Sequence, residues 1–472
     1  MNLVPLLVAS FLLGGCMLHD VQEDRPSPAK IPQTFSTAPT TADSVKRSTN
    51  PWWRELQSPG FESYVEGLLA ENFDLKRGFA RVKHMQAVAK KAGSARWPVI
   101  DGKVGVAFTQ SVFTLGDLGE QTIESTRYPI DVSVGYEVDL WGKVASAVRA
   151  SELELAASRE DLSAMGLSLT AAAARCWFLI REHQAHLELL DRQEDVSLDY
   201  IKLIRFRVER GLASALDVLQ QEQQLAAIRA RRPRHRAIVE TAMHQLAVLA
   251  GKPPREGDWN PPAGLPKLGS LPGQGLPIEL LQSRPDMRAA LRRVNAADYR
   301  VGVAIGDRFP ALRFSASGGL NGSEPSNIFT SWVYNLASSL IAPIFDGFRR
   351  SAEVERSRAA LEESVSTYGK AVLAAFAEVE DALARERSER ETLELMGKQL
   401  DAGRRTLDEA TRRYQNGMSG YLPVLQALKA IQELEHTRLS VHGRAWSERI
   451  GLYLALGGSW LDDRKLGQGR KQ

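Results

Sequence analysis

Cysteine is nearly absent from this chain, which has two cysteines among 472 residues. Cys16 closes a short apolar run at the N-terminus, and Cys176 lies beside Trp177 in a stretch of helical character. If Cys16 is modified, Cys176 has no partner, and an intramolecular disulfide is then excluded. The surroundings of Cys176 favour a packed thiol over a nucleophile.

Long hydrophobic runs are also missing. Beyond the N-terminus, no segment is both apolar and uncharged for about 18 residues, the length that a membrane-spanning helix requires. Any further contact with a lipid bilayer would therefore have to use β-structure. The contents of 43% hydrophobic and 25% charged residues are those of an ordinary globular protein. They exclude wholesale disorder and a polytopic helical membrane protein.

A strong net charge and catalytic motifs are missing as well. The formal net charge of +3 is too small to indicate a polyanionic partner such as nucleic acid. The sequence has neither an H-E-x-x-H nor a G-x-S-x-G motif and no compact catalytic constellation, so we predict no enzymatic activity; the family resemblance described below also implies that no cofactor is needed. We interpret Glu182, His183 and His186 as exposed residues of a charged helix and predict no metal site. The basic run RARRPRHR at 229–236 is interpreted as a solvated helix face.

The N-terminus has the features of an export signal. Residues 1–15 are apolar and end in small residues, and Leu13-Gly14-Gly15-Cys16 resembles a bacterial lipobox. That resemblance implies cleavage before Cys16 and diacylation of its sulfur, although no Lys or Arg precedes the apolar run. A plain secretory signal, a buried helix and a misassigned start remain alternatives. The Pro-, Ser- and Thr-rich residues 16–60 indicate an extended tether.

The first half of the mature chain, residues 61–250, combines helical periodicity with two alternating segments. In 128–140, apolar side chains occupy the even positions, which is typical of a β-strand. The predicted order is a helix from Phe61 to about Arg96, a β-hairpin over 99–141, a long helix from Lys143 to about Arg210, a break at Gly211, and a helix over 214–250 that contains Pro233.

A Pro/Gly-rich connector at 251–277 leads to a second half, 278–457, with the same order, and residues 458–472 form a tail. RVERGLASALDVLQ, beginning at Arg207, aligns with RYQNGMSGYLPVLQ, beginning at Arg413, at an offset of 206 positions. Internal duplication of this kind constrains the fold strongly. The second half is predicted as a helix over 278–307, a hairpin over 311–345, a long helix over 349–416, a tip near 417 and a last helix to about Leu456.

The four predicted strands pose a physical problem. A two-stranded hairpin is marginal in water, and its unpaired edges are excluded from lipid. The strands have the length and alternation of transmembrane β-strands, but four cannot close a barrel, which needs about eight. We therefore predict a shared barrel, which in a trimer would have about twelve strands, with the long helices of neighbouring chains closing a helical barrel.

Several motifs, taken in this order, resemble the outer membrane factor family, the TolC-like and OprM-like efflux channels, in its lipoprotein branch. The resemblance covers nearly the whole mature chain. The motifs are DLWGK at 139–143 for a strand-to-helix junction, GLASALDVL at 211–219 and GMSGYLPVL at 417–425 for the two helical tips, LPIELLQSRPDMRAA at 276–290 for the start of the second half, and LYLALGGSW at 452–460 for the C-terminal signature.

The resemblance implies a homotrimer in the outer membrane, anchored by lipid, with a periplasmic helical tunnel. It implies a passive exit duct for small molecules, working with a periplasmic adaptor (membrane fusion) protein and an inner-membrane pump of the resistance-nodulation-division type. It also implies roles for the tips. The expected adaptor-docking residues are Gly211, Leu212, Ala213, Ser214, Gly417, Met418, Ser419 and Gly420, and the expected pore constriction is Leu422, Gln426 and Asp217.

The acidic residues Asp131, Glu137 and Asp139 are predicted to face the barrel lumen, because ionised side chains are costly in lipid. Two departures from the family pattern stand out. Phe348 occupies a position where the family has Gly, and Gln426 one where an acidic residue is common. An acidic cation-binding ring is therefore not expected at the second tip.

Other functions remain open at this point. A chain of this kind can serve type I protein secretion instead of small-molecule efflux. A periplasmic coiled-coil scaffold without a pore would also account for the long helices, but it would not explain strands of barrel length. The sequence names neither the transported substrate nor the partner pump.

Overall fold

The computed structural model describes residues 18–458, except for residues 24, 33–34, 36–50, 57, 115, 117–119, 258 and 273–276. The predicted signal, the lipidation site Cys16 and nearly all of the C-terminal tail lie outside the described residues. The chain divides into two compact units. One consists of residues 81–159 and 289–369 with the N-terminal segment up to Pro28, and the other of 29–80, 160–288 and 370–472.

The first unit contains an antiparallel β-sheet. Its order is β1-β3-β4-β5, and β2 pairs with β3 beyond the end of β1. The register against β3 continues unchanged from β1 to β2, so the two act as one interrupted strand. Pro129 lies opposite the interruption, where it has no N–H for the ladder. The strands are β1 (Val99–Val104), β2 (Ala107–Thr114), β3 (Glu120–Val138), β4 (Ala311–Gly322) and β5 (Trp332–Ile341).

The register gives the sheet one apolar face. Residues that oppose each other in antiparallel strands point to the same side. Between Ile130 and Val138, most even positions of β3 oppose an apolar residue on at least one neighbouring strand. The pairs are Ile130 with Val104 and Leu320, Val134 with Ile100 and Ala316, Tyr136 with Phe314, and Val138 with Leu312, and β4 continues this face into β5 through Leu312 with Leu340 and Leu320 with Trp332.

Eight α-helices are described. Two of them have 67 residues each, which corresponds to about 100 Å at 1.5 Å per residue. Most bounds agree with the predicted ones within two residues, but the predicted single helix over 278–307 is wrong, because it is divided at Arg284 into two helices. The helices are α1 (Phe61–Glu71), α2 (Phe73–Gly93), α3 (Lys143–Glu209), α4 (Ala215–Leu249), α5 (Pro277–Ser283), α6 (Pro285–Gly306), α7 (Arg349–Gln415) and α8 (Leu422–Ala455).

The predicted single helix from Phe61 to Arg96 is wrong, because it breaks at Asn72. This buried side chain accepts a hydrogen bond from the Leu75 N–H at 3.0 Å and donates one to the Leu249 carbonyl at 2.8 Å. Capping side chains of this type offer the backbone an alternative to a continuous helix. The break therefore fixes the start of α2 to the end of α4.

The interpretation of residues 16–60 as an extended tether is wrong in its last part. Residues Trp52–Leu56 form a short 3₁₀-helix whose Trp52, Trp53 and Leu56 side chains are buried. The indole of Trp52 lies 5.4 Å from the Tyr453 ring, centroid to centroid. Burial of large aromatic surface offsets the entropy lost on ordering this segment.

The second unit is called the helical unit below. Its side chains hold the Pro/Gly-rich connector by donating hydrogen bonds to the carbonyl groups of the connector. Arg181 Nε donates to the Gly264 carbonyl at 2.8 Å, and Trp446 Nε1 to that of Pro266 at 2.9 Å. Arg449 Nη1 donates to Ser270 O at 2.9 Å, and the same guanidinium forms a buried ion pair with Glu386. The connector thus obtains its hydrogen bonds from neighbouring helices instead of from regular structure.

By length and composition alone, one stretch of α3 could cross a membrane. Inside the protein, 56% of that stretch is buried. Cys176 lies in it, and burial raises the pKa of its thiol. This agrees with the predicted packed thiol.

Candidate functional site

The predicted lumen residues have different environments within the first unit, which contains the sheet. The Asp131 carboxylate lies over Gly319 of β4, its partner in the register. Glu137 is paired across the strands with Arg313, whose Nη2 lies 3.0 Å from Oε2. Both belong to the polar face, opposite the apolar face described above. Their position in a lumen stays a prediction.

Asp139 has a structural role that the sequence analysis missed. Its carboxylate accepts hydrogen bonds from the backbone N–H groups of Val144 at 3.0 Å and Ala145 at 2.7 Å. These donors belong to the first turn of α3, where N–H groups have no intrahelical acceptor. The signal was present in the sequence, because an Asp just before a helical run is a common capping residue.

The strand-to-helix junction at Trp141, Gly142 and Lys143 is anchored to the end of α6. Trp141 Nε1 donates to the Pro310 carbonyl at 2.7 Å, and its ring lies 5.1 Å from that of Phe309. Gly142 has a left-handed φ of 69°, which only glycine adopts without strain. The chain can therefore turn from β3 into α3 within a few residues.

Asp307 connects this junction to its counterpart in the second repeat. Lys143 Nζ lies 2.5 Å from Oδ1, and Arg350 Nε lies 3.2 Å from Oδ2. Although burial opposes the charged form, the two cations hold the pKa of Asp307 below its ordinary value. The role of Asp307 was not recognisable in the sequence, because an acidic residue at a helix end has no distinctive spacing.

In the helical unit, both predicted tips reverse direction through the same hydrogen-bond pattern. At the first, the Gly211 N–H donates to Val208 O at 2.9 Å and the Leu212 N–H to Arg207 O at 2.8 Å. These are the two bonds of a Schellman motif, which requires a left-handed residue. Gly211 supplies it with φ of 72°, as predicted.

The second tip repeats the first at the predicted offset. The Gly417 N–H donates to Tyr414 O at 3.1 Å, the Met418 N–H donates to Arg413 O at 2.9 Å, and Gly417 has φ of 72°. A Cβ at either tip glycine would have open space within 4 Å. Backbone conformation alone therefore requires glycine at these two positions.

The tips differ in how the following helix starts. Ser214 accepts a bond from the Leu216 N–H at 3.1 Å, and the Asp217 carboxylate accepts one from the Ser214 N–H at 3.1 Å. This is a capping box. Asp217, predicted as part of the constriction, is thus engaged in capping α4. The second tip has no such box, because Tyr421 precedes α8 and Pro423 lies in its first turn.

A buried aromatic cluster joins the two reversals. It contains Ile204, Tyr414, Tyr421, Val424 and Leu425. The Tyr421 hydroxyl donates to Gln221 Oε1 at 2.6 Å, and the Arg207 guanidinium lies 4.5 Å from the Tyr414 ring centroid. The tips are therefore anchored to one rigid base.

Beyond this base, apolar side chains of the tips are exposed. Leu212 has 60% of its surface exposed, Met418 69% and Leu422 51%. Gln426, one turn after Leu422, is also exposed. Leu422 and Gln426 are thus not packed inside the hairpin of this chain, and their predicted pore-lining role stays a prediction. Of the predicted docking residues, Ala213 and Ser419 are half-buried. The other six are exposed: Gly211, Leu212, Ser214, Gly417, Met418 and Gly420.

The expectation that His183 and His186 are two exposed histidines on a charged helix is wrong. The His186 side chain is only 2% exposed, and His183 is half-buried. His235 of α4 and His436 of α8 lie against them. The sequence could not reveal this cluster, because its members are separated by up to 253 positions.

Comparisons with known proteins agree with this architecture. A family model described as outer membrane efflux protein matches residues 65–252 and again 276–458, which confirms the predicted duplication. The pyoverdine export outer membrane protein OpmQ of Pseudomonas aeruginosa is 31% identical over 98% of each chain. The solvent efflux pump outer membrane protein SrpC of Pseudomonas putida is 26% identical over 96% of this chain and 97% of its own. The solved outer-membrane channel OprN aligns with a TM-score of 0.87 at 26% identity, covering 94% of this chain and 100% of that one.

Proposed function

Because this chain belongs to the outer membrane efflux protein family and is an outer membrane efflux channel, we propose that three copies of it form one lipid-anchored exit duct. The duct conducts small molecules passively from an inner-membrane pump to the exterior. A periplasmic adaptor connects the two. The chain uses no chemistry of its own, and the pump supplies the energy.

The observation that carries the proposal is the sheet. Its apolar face continues across β1, β3, β4 and β5, and its other face is polar. In the described part of the chain, β1 and β2 pair only with β3, and β5 pairs only with β4, so both edges lack partners. Lipid does not tolerate such edges. If β5 of one copy pairs with β1 and β2 of the next, no unpaired edge remains. In a trimer this pairing gives a barrel of about twelve strands.

The tips support adaptor docking. They expose apolar side chains such as Leu212 and Met418 on a base that is rigid and well packed. Exposed apolar groups on a rigid scaffold are a common feature of protein–protein interfaces. Leu422 and Gln426 are proposed as the constriction, because both are exposed and share one side of α8.

Disulfide cross-linking tests the shared barrel. In a Cys176→Ser background, Lys103→Cys in β1 is combined with cysteines placed one at a time along β5, from Val333→Cys to Ser339→Cys. At the matching register, membranes should give cross-linked species up to a trimer on denaturing gels. Ser315→Cys in central β4 is the matched control and should give none. If no β5 position cross-links to β1, the shared barrel is wrong.

Single-channel recording tests the constriction. Leu422→Ser combined with Gln426→Ala removes two side chains from the proposed narrowing and should raise conductance in planar bilayers. Ala430→Ser, one turn farther along α8, is the control and should leave conductance unchanged. An unchanged conductance in the double variant would reject these two residues as the constriction while leaving the barrel intact.

Deletion of the gene tests the transport role. The deletion strain should become more sensitive to some members of a panel of dyes, antibiotics, solvents and metals. Complementation with the wild-type chain should restore resistance. If secretion of a protein is lost while sensitivity to the whole panel stays unchanged, the duct serves protein export and the small-molecule assignment is wrong.

A further inference from the structure

Four of the chain's eight histidines meet in the helical unit, away from the tips and the sheet. His183 and His186 lie on α3, His235 on α4 and His436 on α8. His183 Nδ1 is 2.8 Å from His235 Nδ1, and His186 Nδ1 is 3.0 Å from His436 Nδ1. The rings of His186 and His235 are stacked with centroids 4.6 Å apart, so the two close pairs form one cluster.

We propose that this cluster binds a divalent transition-metal ion of the zinc or copper type, with His183, His186 and His235 as ligands and His436 completing the set. One possible ligand atom from each of the first three residues can be chosen so that all lie within 4.8 Å of one another. Two imidazole nitrogens on a tetrahedral zinc are about 3.3 Å apart, given Zn–N distances of about 2.0–2.1 Å. The two close pairs need to open by about 0.3–0.5 Å to admit the ion, whereas the ligand atoms that lie up to 4.8 Å apart need to approach one another.

The four side chains of the cluster offer nitrogen ligands. Each neutral imidazole has one nitrogen lone pair available to a metal ion. Neutral imidazole is a preferred ligand of zinc, copper and nickel, whereas calcium and magnesium prefer oxygen.

Hydrogen bonds around His436 direct its Nδ1 into the cluster. The amide nitrogen of Gln193 donates to Glu435 Oε2 at 3.1 Å and to the Gln432 carbonyl at 3.3 Å. The amide oxygen of Gln193 must then be the group facing His436 Nε2, at 3.1 Å. His436 thus carries its proton on Nε2, and its Nδ1 lone pair points to His186. Metal ligands are commonly oriented by an outer partner in this way.

A carboxylate lies on the opposite side of His186. Glu182 Oε1 is 3.7 Å from His186 Nε2, and Ser440 Oγ is 3.3 Å from the same nitrogen. The Glu182 side chain occupies space that a Cβ at Gly443 would fill. With a metal ion held on the Nδ1 side, a proton on His186 Nε2 would face Ser440 Oγ, and the Glu182 carboxylate would be the nearby negative charge. An outer carboxylate near a ligating histidine is a common feature of metal sites.

Nearby positive charge limits which ions the site can hold. Arg231 and Arg234 both act on the histidines, and Arg231 is paired with Glu433 at 2.8 Å. These cations disfavour weakly bound ions held by charge alone and leave ions that bond strongly to nitrogen. The alternative occupant of the cluster is a chain of N–H···N hydrogen bonds without metal, which the same short distances permit.

Metal binding to the purified full-length protein separates the two alternatives. The protein carries an affinity tag without histidine, is stripped with chelator and is dialysed against zinc alone, and bound zinc is measured by elemental analysis. Wild type should take up about one ion per chain and unfold at a higher temperature with zinc than without it. Cobalt should give the intense visible absorption of a tetrahedral nitrogen site.

Matched variants locate the ion. His235→Gln and His186→Gln should each abolish stoichiometric uptake, and Gln193→Ala should weaken zinc affinity by about 10–100-fold. His244→Gln, on the same helix as His235 but outside the cluster, should bind like wild type. Far-ultraviolet circular dichroism checks that each variant is folded. No zinc uptake by wild type, or equal uptake by folded His235→Gln, would overturn the proposal. Neither result depends on transport.

Discussion

The two strand-to-helix junctions occupy equivalent places in the duplicated halves but contain different residues. Gly142 and Phe348 are 206 positions apart, the offset that relates Gly211 to Gly417. Gly142 has φ of 69° and Phe348 has φ of 66°. The left-handed conformation has thus been kept at this one position where the side chain has not, although Gly347 is also left-handed and its counterpart Trp141 is not. A left-handed Phe costs about 1–2 kcal/mol, and Phe348 is 77% exposed, so its own packing offsets little of that cost.

Shared tertiary contacts explain why both junctions keep this conformation. Asp307 at the end of α6 pairs with Lys143 at the first junction and with Arg350 at the second. Either junction with a different turn would lose its partner. The comparison teaches that strain can persist at a repeat when the surrounding structure determines the turn.

Gly142→Phe gives the first junction the residue type of the second and should have the largest effect. The left-handed φ is unchanged, so the expected destabilisation is about 1–2 kcal/mol. The measurement is the urea or thermal midpoint of helix loss in detergent. Gly397→Ala, at a helical glycine with open space around it, is the control and should not destabilise. If Gly142→Phe leaves the unfolding midpoint unchanged, the first junction tolerates a side chain as the second does.

Asp139→Ala removes the cap of α3 and should cost about 0.5–2 kcal/mol. Asp139→Asn keeps one of the two capping oxygens and should lose less stability than Asp139→Ala. Asp346→Ala at the second junction removes a partly buried ion pair with Arg350 but no cap of a helix N-terminus, and should cost less. The same unfolding midpoints rank the three variants. Equal losses in all of them would contradict the capping role.

Phe348→Gly relieves the strained position and should stabilise the protein, by less than about 1 kcal/mol. The gain from the relaxed φ is partly cancelled, because Gly loses more entropy on folding than Phe does. A rise in the unfolding midpoint at equal protein concentration is the expected result. A clear fall would show that the Phe348 ring makes contacts in the assembled channel that outweigh the strain.

Asp307→Asn tests the shared contact and should have the smallest effect, under about 1 kcal/mol, because the carboxylate is partly exposed. The pKa of Asp307 is lowered in the folded state. The ionised Asp307 therefore makes its full contribution to stability above the pKa of the unfolded state, about 3.9. This contribution is lost as the pH falls through the lower pKa of the folded state. The wild type should have a higher free energy of unfolding than the variant at pH 7, and this difference should vanish in acid. A stability difference that grows as the pH falls would contradict a lowered pKa of Asp307 in the folded state.

Local patterns made the fold predictable. Alternation in 128–140, the long helical stretches and the breaks at Gly211 and Gly417 depend on backbone preferences that neighbouring residues determine. The family assignment from the ordered motifs was confirmed, because the family model matches both halves. The break at Asn72 was not predictable, since its side chain responds to the distant Leu249 carbonyl.

The functional residues divided in a similar way. The tip glycines were found from the sequence, because a helix reversal needs a left-handed residue at one fixed place. Asp139 and Asp217 were found but given lumen and pore roles, whereas the structure engages both in capping. Asp307 and the partnership of His183 with His235 were missed, because neither has a recognisable spacing along the chain.

The sequence by itself determined the duplicated order of helices and strands, since periodicity and glycine placement act over a few residues. It also determined that four strands must find partners outside the chain, because edge groups cannot remain unpaired in lipid. Only the tertiary structure decided which side chains meet across helices. The contacts between His186 and His436, and between Lys143 and Asp307, depend on packing distances that sequence separation does not encode.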